Sequence, residues 1–128
     1  MIKILVIALS ASAGALSRYG LGALALRMFG PTFPVGTFLV NALGCLAVGF
    51  LGTLLENASF LTHNMRLAIF IGFLGSFTTF SSFAFETWNL FKQGDLMLAG
   101  LNVFGSFLVC FIALFIGVWL GKSALAMG

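Results

Sequence analysis

The sequence predicts an all-α integral membrane protein with four transmembrane helices. Of its 128 residues, 61% are hydrophobic and 7% are charged, whereas a soluble domain is about half apolar and a quarter charged. A transmembrane helix needs about 20 mostly apolar residues, and four such stretches alternate with short polar connections. Because no soluble segment lies between them, we predict a single transmembrane domain over residues 1–128.

The first predicted span covers about residues 4–28 and contains Arg18. Its beginning is similar to a signal peptide, but the apolar core is short and apolar residues resume at once, so we expect a retained helix. Two prolines in the segment 30–34 then end the helix. The second predicted span, about residues 35–55, carries one strongly polar residue, Asn41.

The third predicted span, about residues 65–91, contains an unusual polar block. Glycines and hydroxyl residues crowd the stretch 72–82, and Glu86 follows. Hydroxyls compete for helical carbonyls and glycine relaxes the helical constraint, so we predict a break in mid-membrane near residues 75–79. Such a break turns backbone carbonyls and amides toward the protein interior, as at the ion sites of transporters. The fourth span, about residues 96–120, has no formal charge.

The loop charges give almost no instruction about orientation. With four spans, one side of the membrane carries Lys3, Arg66 and Lys122, and the other carries Arg27 and Lys92. An excess of cations on one side normally sets the orientation. The count therefore leaves two alternatives open: one fixed orientation, or insertion in both directions with antiparallel pairing of two copies.

Composition argues against several functional classes. The net charge is +3, but the six cations are scattered, so we expect no nucleic-acid partner. The sequence contains no nucleophile–base pair, metal-ligand cluster or phosphate-binding loop, and its one histidine, His63, lies outside the spans, so we do not expect an enzyme. Cys45 and Cys110 belong to no metal or redox motif, and we expect both to be small buried apolar side chains.

Polar residues inside the apolar spans are the candidate functional residues, because such side chains are costly in hydrocarbon. Arg18 is either an anion attractor at a pore vestibule or a structural side chain that reaches the interface. The Asn41 amide either donates to an anion or joins two helices. Glu86 lies either at a pore mouth or at the membrane boundary.

Two phenylalanine stripes follow helical spacing in the third and fourth spans. Such a stripe is either a packing surface or a set of positive ring edges that attract an anion. The polar neighbours at helical spacing are Thr79 and Ser82 with Glu86, and Asn102 with Ser106. The stripes are Phe70, Phe73, Phe77, Phe80 and Phe83 in the third span, and Phe104, Phe107, Phe111 and Phe115 in the fourth.

Three stretches of the sequence resemble the Fluc (CrcB-type) fluoride channels. The block GFLGSFTTFSSF, followed by Glu86-Thr87, is similar to the family's third-helix signature. Residues 36–41 resemble its GT(x)3N motif, and residues 14–18 resemble its GxxxR motif. The block is specific, whereas the two shorter motifs are weak alone. Chain length, four spans and short loops agree as well, so the resemblance covers the whole chain.

The resemblance implies a fluoride-selective channel in the bacterial inner membrane that exports fluoride passively and relieves its toxicity. It implies an antiparallel, dual-topology homodimer with two fluoride pathways. Phe80 and Phe83 match the phenylalanines whose ring edges contact fluoride, and Asn41 matches the pore-lining amide. The other implied pore positions are the hydroxyls of Thr79, Ser82 and Ser106, with Glu86 at the pore end and Arg18 as a vestibule or structural residue.

The resemblance also implies a structural Na⁺ at the dimer interface, held by the backbone carbonyls of Gly75 and Thr78. Two positions depart from the family pattern. Asn102 stands where many members have a tyrosine, and it keeps the polar character expected of a pore position. Cys110 replaces a hydroxyl that some relatives carry at the end of the fourth-helix polar track.

Two alternative functions remain. A small dual-topology multidrug or cation transporter needs a membrane-buried carboxylate, for which Glu86 is the only candidate. A non-transporting membrane subunit would use the same helices only to pack against a larger complex.

Overall fold

The computed structural model describes residues 1–56, 58 and 60–127, and every regular element among these residues is helical. We number the α-helices in chain order and name the π-helical stretch between two of them the π-helical segment. The elements are α1 (Ile2–Phe29), α2 (Val35–Leu54), α3 (His63–Arg66), the π-helical segment (Leu67–Leu74), α4 (Gly75–Phe77), α5 (Phe80–Lys92) and α6 (Leu96–Met127).

Four stretches of the described chain are long and apolar enough to cross a membrane. They are Ile2–Phe29, Val35–Leu54, His63–Lys92 and Leu96–Met127. The third stretch combines α3, the π-helical segment, α4 and α5, which together replace the single long helix of a simple span. The chain is therefore a multi-pass membrane protein with four helical spans.

The fourth helix is longer than the sequence predicted. Instead of ending at the glycine and lysine after the apolar run, α6 continues to Met127. Gly121 is buried against Thr53 of α2, so the glycine provides a packing contact rather than a stop. The Ser123 hydroxyl donates to the Trp119 carbonyl at 2.9 Å, which leaves the helical backbone intact. The other three spans begin and end close to their predicted positions.

The most extensive helix contact joins α2 and α6. Two buried glycines bring these backbones together, since a side chain at Gly49 would meet the Leu114 carbonyl, and one at Gly117 would meet the Leu46 carbonyl. In lipid the hydrophobic effect does not drive helices together, so they associate by close packing at small residues. Towards the start of both helices Gly105 lies near Phe38, and towards their ends Gly121 lies near Thr53, so α2 and α6 run in the same direction.

A second close contact joins α1 to the π-helical segment. A side chain at Gly14 would meet the Phe73 carbonyl, and one at Gly72 would meet the Ser10 hydroxyl. Ser10 already donates to the Val6 carbonyl within α1 at 2.7 Å. The contact fixes the half of the third span that precedes the polar block.

The helical backbone of the third span is interrupted at Thr78 and Thr79. Both residues are extended, with ψ angles of 158° and 118°. They lie within the range 75–79, where the sequence predicts a break. How deep the interruption lies in a bilayer stays a prediction.

Candidate functional site

The interruption is stabilised by one side chain of α2. The Asn41 amide donates to the Thr79 carbonyl at 2.9 Å, and its carbonyl oxygen accepts from the Thr79 amide at 2.8 Å. These two bonds satisfy backbone groups that a continuous helix would pair internally. One N–H of the Asn41 amide is not used by this pair, because a carboxamide carries two donors.

The Thr79 side chain starts the helix that follows. Its hydroxyl oxygen accepts from the Ser82 amide at 3.2 Å and donates to the Ser82 hydroxyl at 3.0 Å. This is the usual role of a threonine at a helix N-cap. Thr79 is buried, so the cap and the Asn41 bonds together fix both sides of the interruption.

A cavity of about 370 Å³ lies between α2, the interruption and α6, and we name it the break cavity. Among the described residues, none of the side chains that line it carries a formal charge. The lining residues are Asn41, Gly44, Cys45, Val48, Thr78, Thr79, Phe80, Phe83, Ser106, Phe107, Cys110, Phe111 and Leu114. The structure therefore brings five of the predicted pore residues together: Asn41, Thr79, Phe80, Phe83 and Ser106.

The aromatic residues of the break cavity differ in exposure. Phe83 is buried, whereas Phe80 is 72% exposed. The ring centroids of Phe80 and Phe83 are 5.5 Å apart, and the Phe83 ring meets Phe107 at 6.0 Å with an interplanar angle of 87°. An edge-to-face pair holds a ring rim in a fixed direction, and the rim of a phenyl ring is its positive part.

Asn102 lies outside the break cavity. It is 1% exposed, and its amide donates to the Thr87 hydroxyl at 2.8 Å. Thr87 in turn donates to the Phe83 carbonyl at 2.8 Å, while Ser106 donates to the Asn102 carbonyl oxygen at 3.4 Å. The chain of bonds connects α6 to α5 behind Phe83. A pore-lining role for Asn102 stays a prediction that the geometry does not favour.

Glu86 lies at a second, larger cavity of about 710 Å³, which we name the terminal cavity. Its Oε1 accepts from the Thr37 hydroxyl at 2.7 Å, and its buried Oε2 has no hydrogen-bond partner among the described residues. The same cavity is lined by Asp95 and by the segment from Gly30 to Thr37. Two carboxylates therefore share this end of the helix bundle.

The remaining predicted pore residues lie outside both cavities. Arg18 is partly exposed on α1 and lines neither of them. Ser82 contacts Thr79 but is not part of the break-cavity lining. Cys45 and Cys110, which the sequence predicted to be small buried apolar side chains, are half-buried and line the break cavity.

Comparison with known proteins decides the family. Residues 5–118 match the family model described as CrcB-like protein, Camphor Resistance (CrcB). The chain belongs to the CrcB family. A fluoride-specific ion channel of Chloroflexus aurantiacus is 44% identical over 122 residues, which cover 95% of this chain and 97% of that protein. A fluoride-specific ion channel of Dehalococcoides mccartyi is 40% identical over 120 residues, covering 94% and 92% of the two chains.

Membership in the CrcB family also agrees with the absence of catalytic motifs in the sequence. Its relatives are named as ion channels and the chain is not an enzyme. A third relative, from Trichormus variabilis, carries the same name and is 44% identical over 117 residues, which cover 91% of this chain and 85% of that protein.

The backbone of this CrcB-family chain has two carbonyls suited to a hard cation. In a continuous helix the Gly75 carbonyl would accept from the Thr79 amide, and the Thr78 carbonyl from the Ser82 amide. The Thr79 amide is bonded to Asn41, and the Ser82 amide is bonded to the Thr79 hydroxyl. Both carbonyls have thus lost their helical donors, and unwound carbonyls of this kind coordinate Na⁺ in transporters.

Two structural partners of the site were not identified from the sequence. Thr37 holds Glu86, and Thr87 holds Asn102. Thr37 lies in the GT(x)3N-like motif and Thr87 lies next to Glu86 in the polar block, so the sequence marked both residues. It could not predict their hydrogen-bond partners, because each bond joins side chains from two different helices.

Proposed function

We propose that this chain forms a fluoride-selective channel that exports fluoride passively. The observation that carries the proposal is the break cavity, which combines an amide, three hydroxyls and four phenyl rings without a formal charge. Membership in the CrcB family and the names of the relatives support the same function. A lining of neutral donors stabilises an anion without the strong binding of an opposite charge, so the anion can leave again.

Fluoride is a small anion that holds its hydration water strongly. A pathway for it has to replace that water with closely spaced donors, because leaving an ion without partners in a low dielectric is costly. Asn41 offers its second amide N–H, and Phe80 and Phe83 offer positive ring rims. The hydroxyls of Thr79 and Ser106 would donate to the anion after turning away from Ser82 and Asn102, which accept their hydrogens in this structure. We infer that a second copy narrows this cavity, which measures about 370 Å³ in the single chain, enough to exclude larger anions.

The second part of the proposal is an antiparallel homodimer of dual topology. The break cavity is lined by Phe80, Phe107 and Phe111, which are 72%, 50% and 56% exposed in the single chain. A second copy in the opposite orientation would cover these rings and complete two equivalent pathways. The nearly balanced loop charges support insertion in both directions.

The third part is a structural Na⁺ between the two copies. The carbonyls of Gly75 and Thr78 would hold it, since their helical donors are engaged elsewhere. The cation would supply a fixed positive charge that compensates the carbonyl dipoles where two interrupted helices meet. Its role is structural, because fluoride is the ion that moves.

The proposed location is the bacterial inner membrane. In acidic surroundings part of the fluoride is neutral HF, which crosses the membrane and ionises in the cytoplasm. The negative interior potential then drives the anion outward, by about 2.3 kcal/mol per charge for each 100 mV. No energy source besides this potential is needed for export.

The test compares two phenylalanine variants in liposomes that contain purified protein and fluoride. Phe80→Ile removes a ring from the break cavity, and we expect it to abolish fluoride efflux while the dimer remains assembled. Phe104→Ile is the matched control, because Phe104 is 77% exposed and lies outside that cavity. Equal efflux from the two variants would contradict the assignment of Phe80.

The same liposomes separate the alternatives. A multidrug or cation transporter, for which the buried Glu86 oxygen would be the proton-linked group, predicts proton-dependent export of an aromatic cation and no fluoride efflux. A non-transporting subunit predicts neither activity. Dual topology is tested by thiol labelling of Lys122→Cys in a variant that lacks Cys45 and Cys110. Position 122 should then be labelled from both membrane faces.

A further inference from the structure

The two cysteines of the chain meet in the break cavity although they are far apart in sequence. Cys45 on α2 and Cys110 on α6 both line this cavity and are both half-buried. They face this cavity from two helices whose backbones are in contact one turn further along, at Gly49 and Leu114. Neither residue belongs to a sequence motif, so their proximity comes only from the packing of α2 against α6.

Helical spacing places both thiols in one layer of the cavity. Cys45 follows Asn41 by four residues, and Cys110 follows Ser106 by four residues. Residues four apart lie on the same face of a helix, one turn from each other. Because α2 and α6 run in the same direction, both cysteines lie one turn beyond the Asn41 and Ser106 layer on the same side of it.

The close approach of the two helices keeps this layer narrow. Gly49, one turn after Cys45, is packed against the Leu114 carbonyl, one turn after Cys110. The backbones are therefore in contact one turn from the thiols, and both cysteines line the cavity. A small ion that enters the cavity can reach both sulfurs.

We propose that Cys45 and Cys110 form a dithiol site for a soft metal ion of the Cu⁺, Ag⁺ and Hg²⁺ class, and that the bound ion blocks the cavity. Thiolates select soft metals over the hard cations that prefer oxygen. Two sulfurs suffice for these ions, which accept two ligands in line. Binding of Hg²⁺ forms two S–Hg bonds, breaks two S–H bonds and releases two protons to water.

Blockage follows from the position of the site, and this step rests on the proposed fluoride pathway. A metal held between the thiols fills the layer next to Asn41 and Ser106, which are the donors assigned to the anion. A disulfide is not proposed, because it needs an oxidant and sulfurs at about 2.05 Å, whereas a bridging metal spans a wider gap. The chemical consequence is a fluoride channel that thiophilic metals inhibit.

The experiment uses the purified full chain with mercuric nitrate as the probe and has two independent readouts. Mass spectrometry of the protein measures the number of mercury atoms bound and protons lost per chain. Fluoride efflux from liposomes measures blockage, before and after dithiothreitol removes the metal. The variants are Cys45→Ala, Cys110→Ala and the double replacement, whose alanines keep the apolar character of the positions.

We expect one mercury atom and two lost protons per wild-type chain, with efflux reduced at least tenfold and restored by dithiothreitol. Each single variant should require at least a tenfold higher concentration for the same inhibition, and the double variant should be insensitive. Two mercury atoms per chain, or equal inhibition of the double variant, would overturn the paired site. One bound mercury without loss of efflux would overturn the blockage.

Failure of the proposed function is distinguishable from failure of the site. If wild-type liposomes release no fluoride while the protein still binds one mercury atom through both cysteines, the dithiol site stands and the channel assignment fails. If fluoride leaves normally but the wild-type chain binds no mercury, the channel assignment stands and the dithiol site is wrong.

Discussion

The two cavities of the bundle present opposite chemistry to an ion. The break cavity, about 370 Å³, is lined by amide, hydroxyl, thiol and phenyl groups, and no formal charge lines it among the described residues. The terminal cavity, about 710 Å³, is lined by two carboxylates, Glu86 and Asp95. We therefore expect neutral donors to stabilise an anion in the first and carboxylates to repel it in the second. The difference supports our proposal that the selective part of the pathway lies at the interruption.

The largest expected effect comes from placing a carboxylate in the uncharged cavity. Asn41→Asp removes the donor to the Thr79 carbonyl and adds a negative charge beside the proposed anion path. A lost buried hydrogen bond together with an unpaired charge costs about 3 kcal/mol or more, so we expect fluoride efflux to fall at least about 100-fold. Efflux from liposomes measures this.

The control for that variant is Asn89→Asp, which adds the same charge to the terminal cavity, where carboxylates are already present. We expect this control to keep most of the wild-type rate. Similar losses from the two substitutions would contradict the distinction between the cavities.

A smaller effect is expected behind the break cavity, at Asn102. Replacing Asn102 by Ala removes the acceptor of the Ser106 hydroxyl and the donor to the Thr87 hydroxyl oxygen, while Thr87 still donates to the Phe83 carbonyl. A buried polar group left unsatisfied costs about 1–3 kcal/mol, so we expect lower stability in detergent unfolding, with fluoride selectivity preserved. Asn102→Leu, which also lacks the amide but fills the volume, should behave similarly. If either variant remains stable but loses its selectivity, Asn102 lines the pathway.

The smallest effect is expected at the terminal cavity. Glu86→Gln removes a negative charge and keeps an oxygen that accepts from Thr37. Although its Oε2 atom is buried, the side chain as a whole is partly exposed at a wide cavity, so solvent and salt partly screen its charge. We expect fluoride efflux to rise by no more than about threefold, measured at low ionic strength. A complete loss of efflux would show that Glu86 is essential for conduction.

Features that depend on composition and local spacing were predictable from the sequence. The four spans followed from apolar runs of sufficient length, and the family followed from the polar block around Thr79 and Phe80. The interruption at Thr78 and Thr79 fell within the range that glycines and hydroxyls indicated. Local signals of this kind are readable because they do not depend on which helix packs against which.

Features that depend on contacts between helices were not predictable. The Asn41–Thr79 pair joins residues 38 positions apart, and a sequence cannot show whether such an amide binds an ion or a backbone. The resemblance placed Asn102 in the pore, because it stands where many family members have a tyrosine; packing buries it against Thr87, and its lining role stays a prediction. No sequence feature predicted the π-helical geometry before the interruption. Helix α6 continues beyond Gly121, which was expected to end it, because Gly121 packs on α2.

The central claim is that the neutral donors of the break cavity carry fluoride and exclude larger anions. The most direct test loads liposomes that contain only the purified wild-type protein with fluoride or with chloride, and records the release of each anion under an imposed potential. The account predicts rapid release of fluoride and retention of chloride. Retention of fluoride, or equal release of both anions, would contradict it.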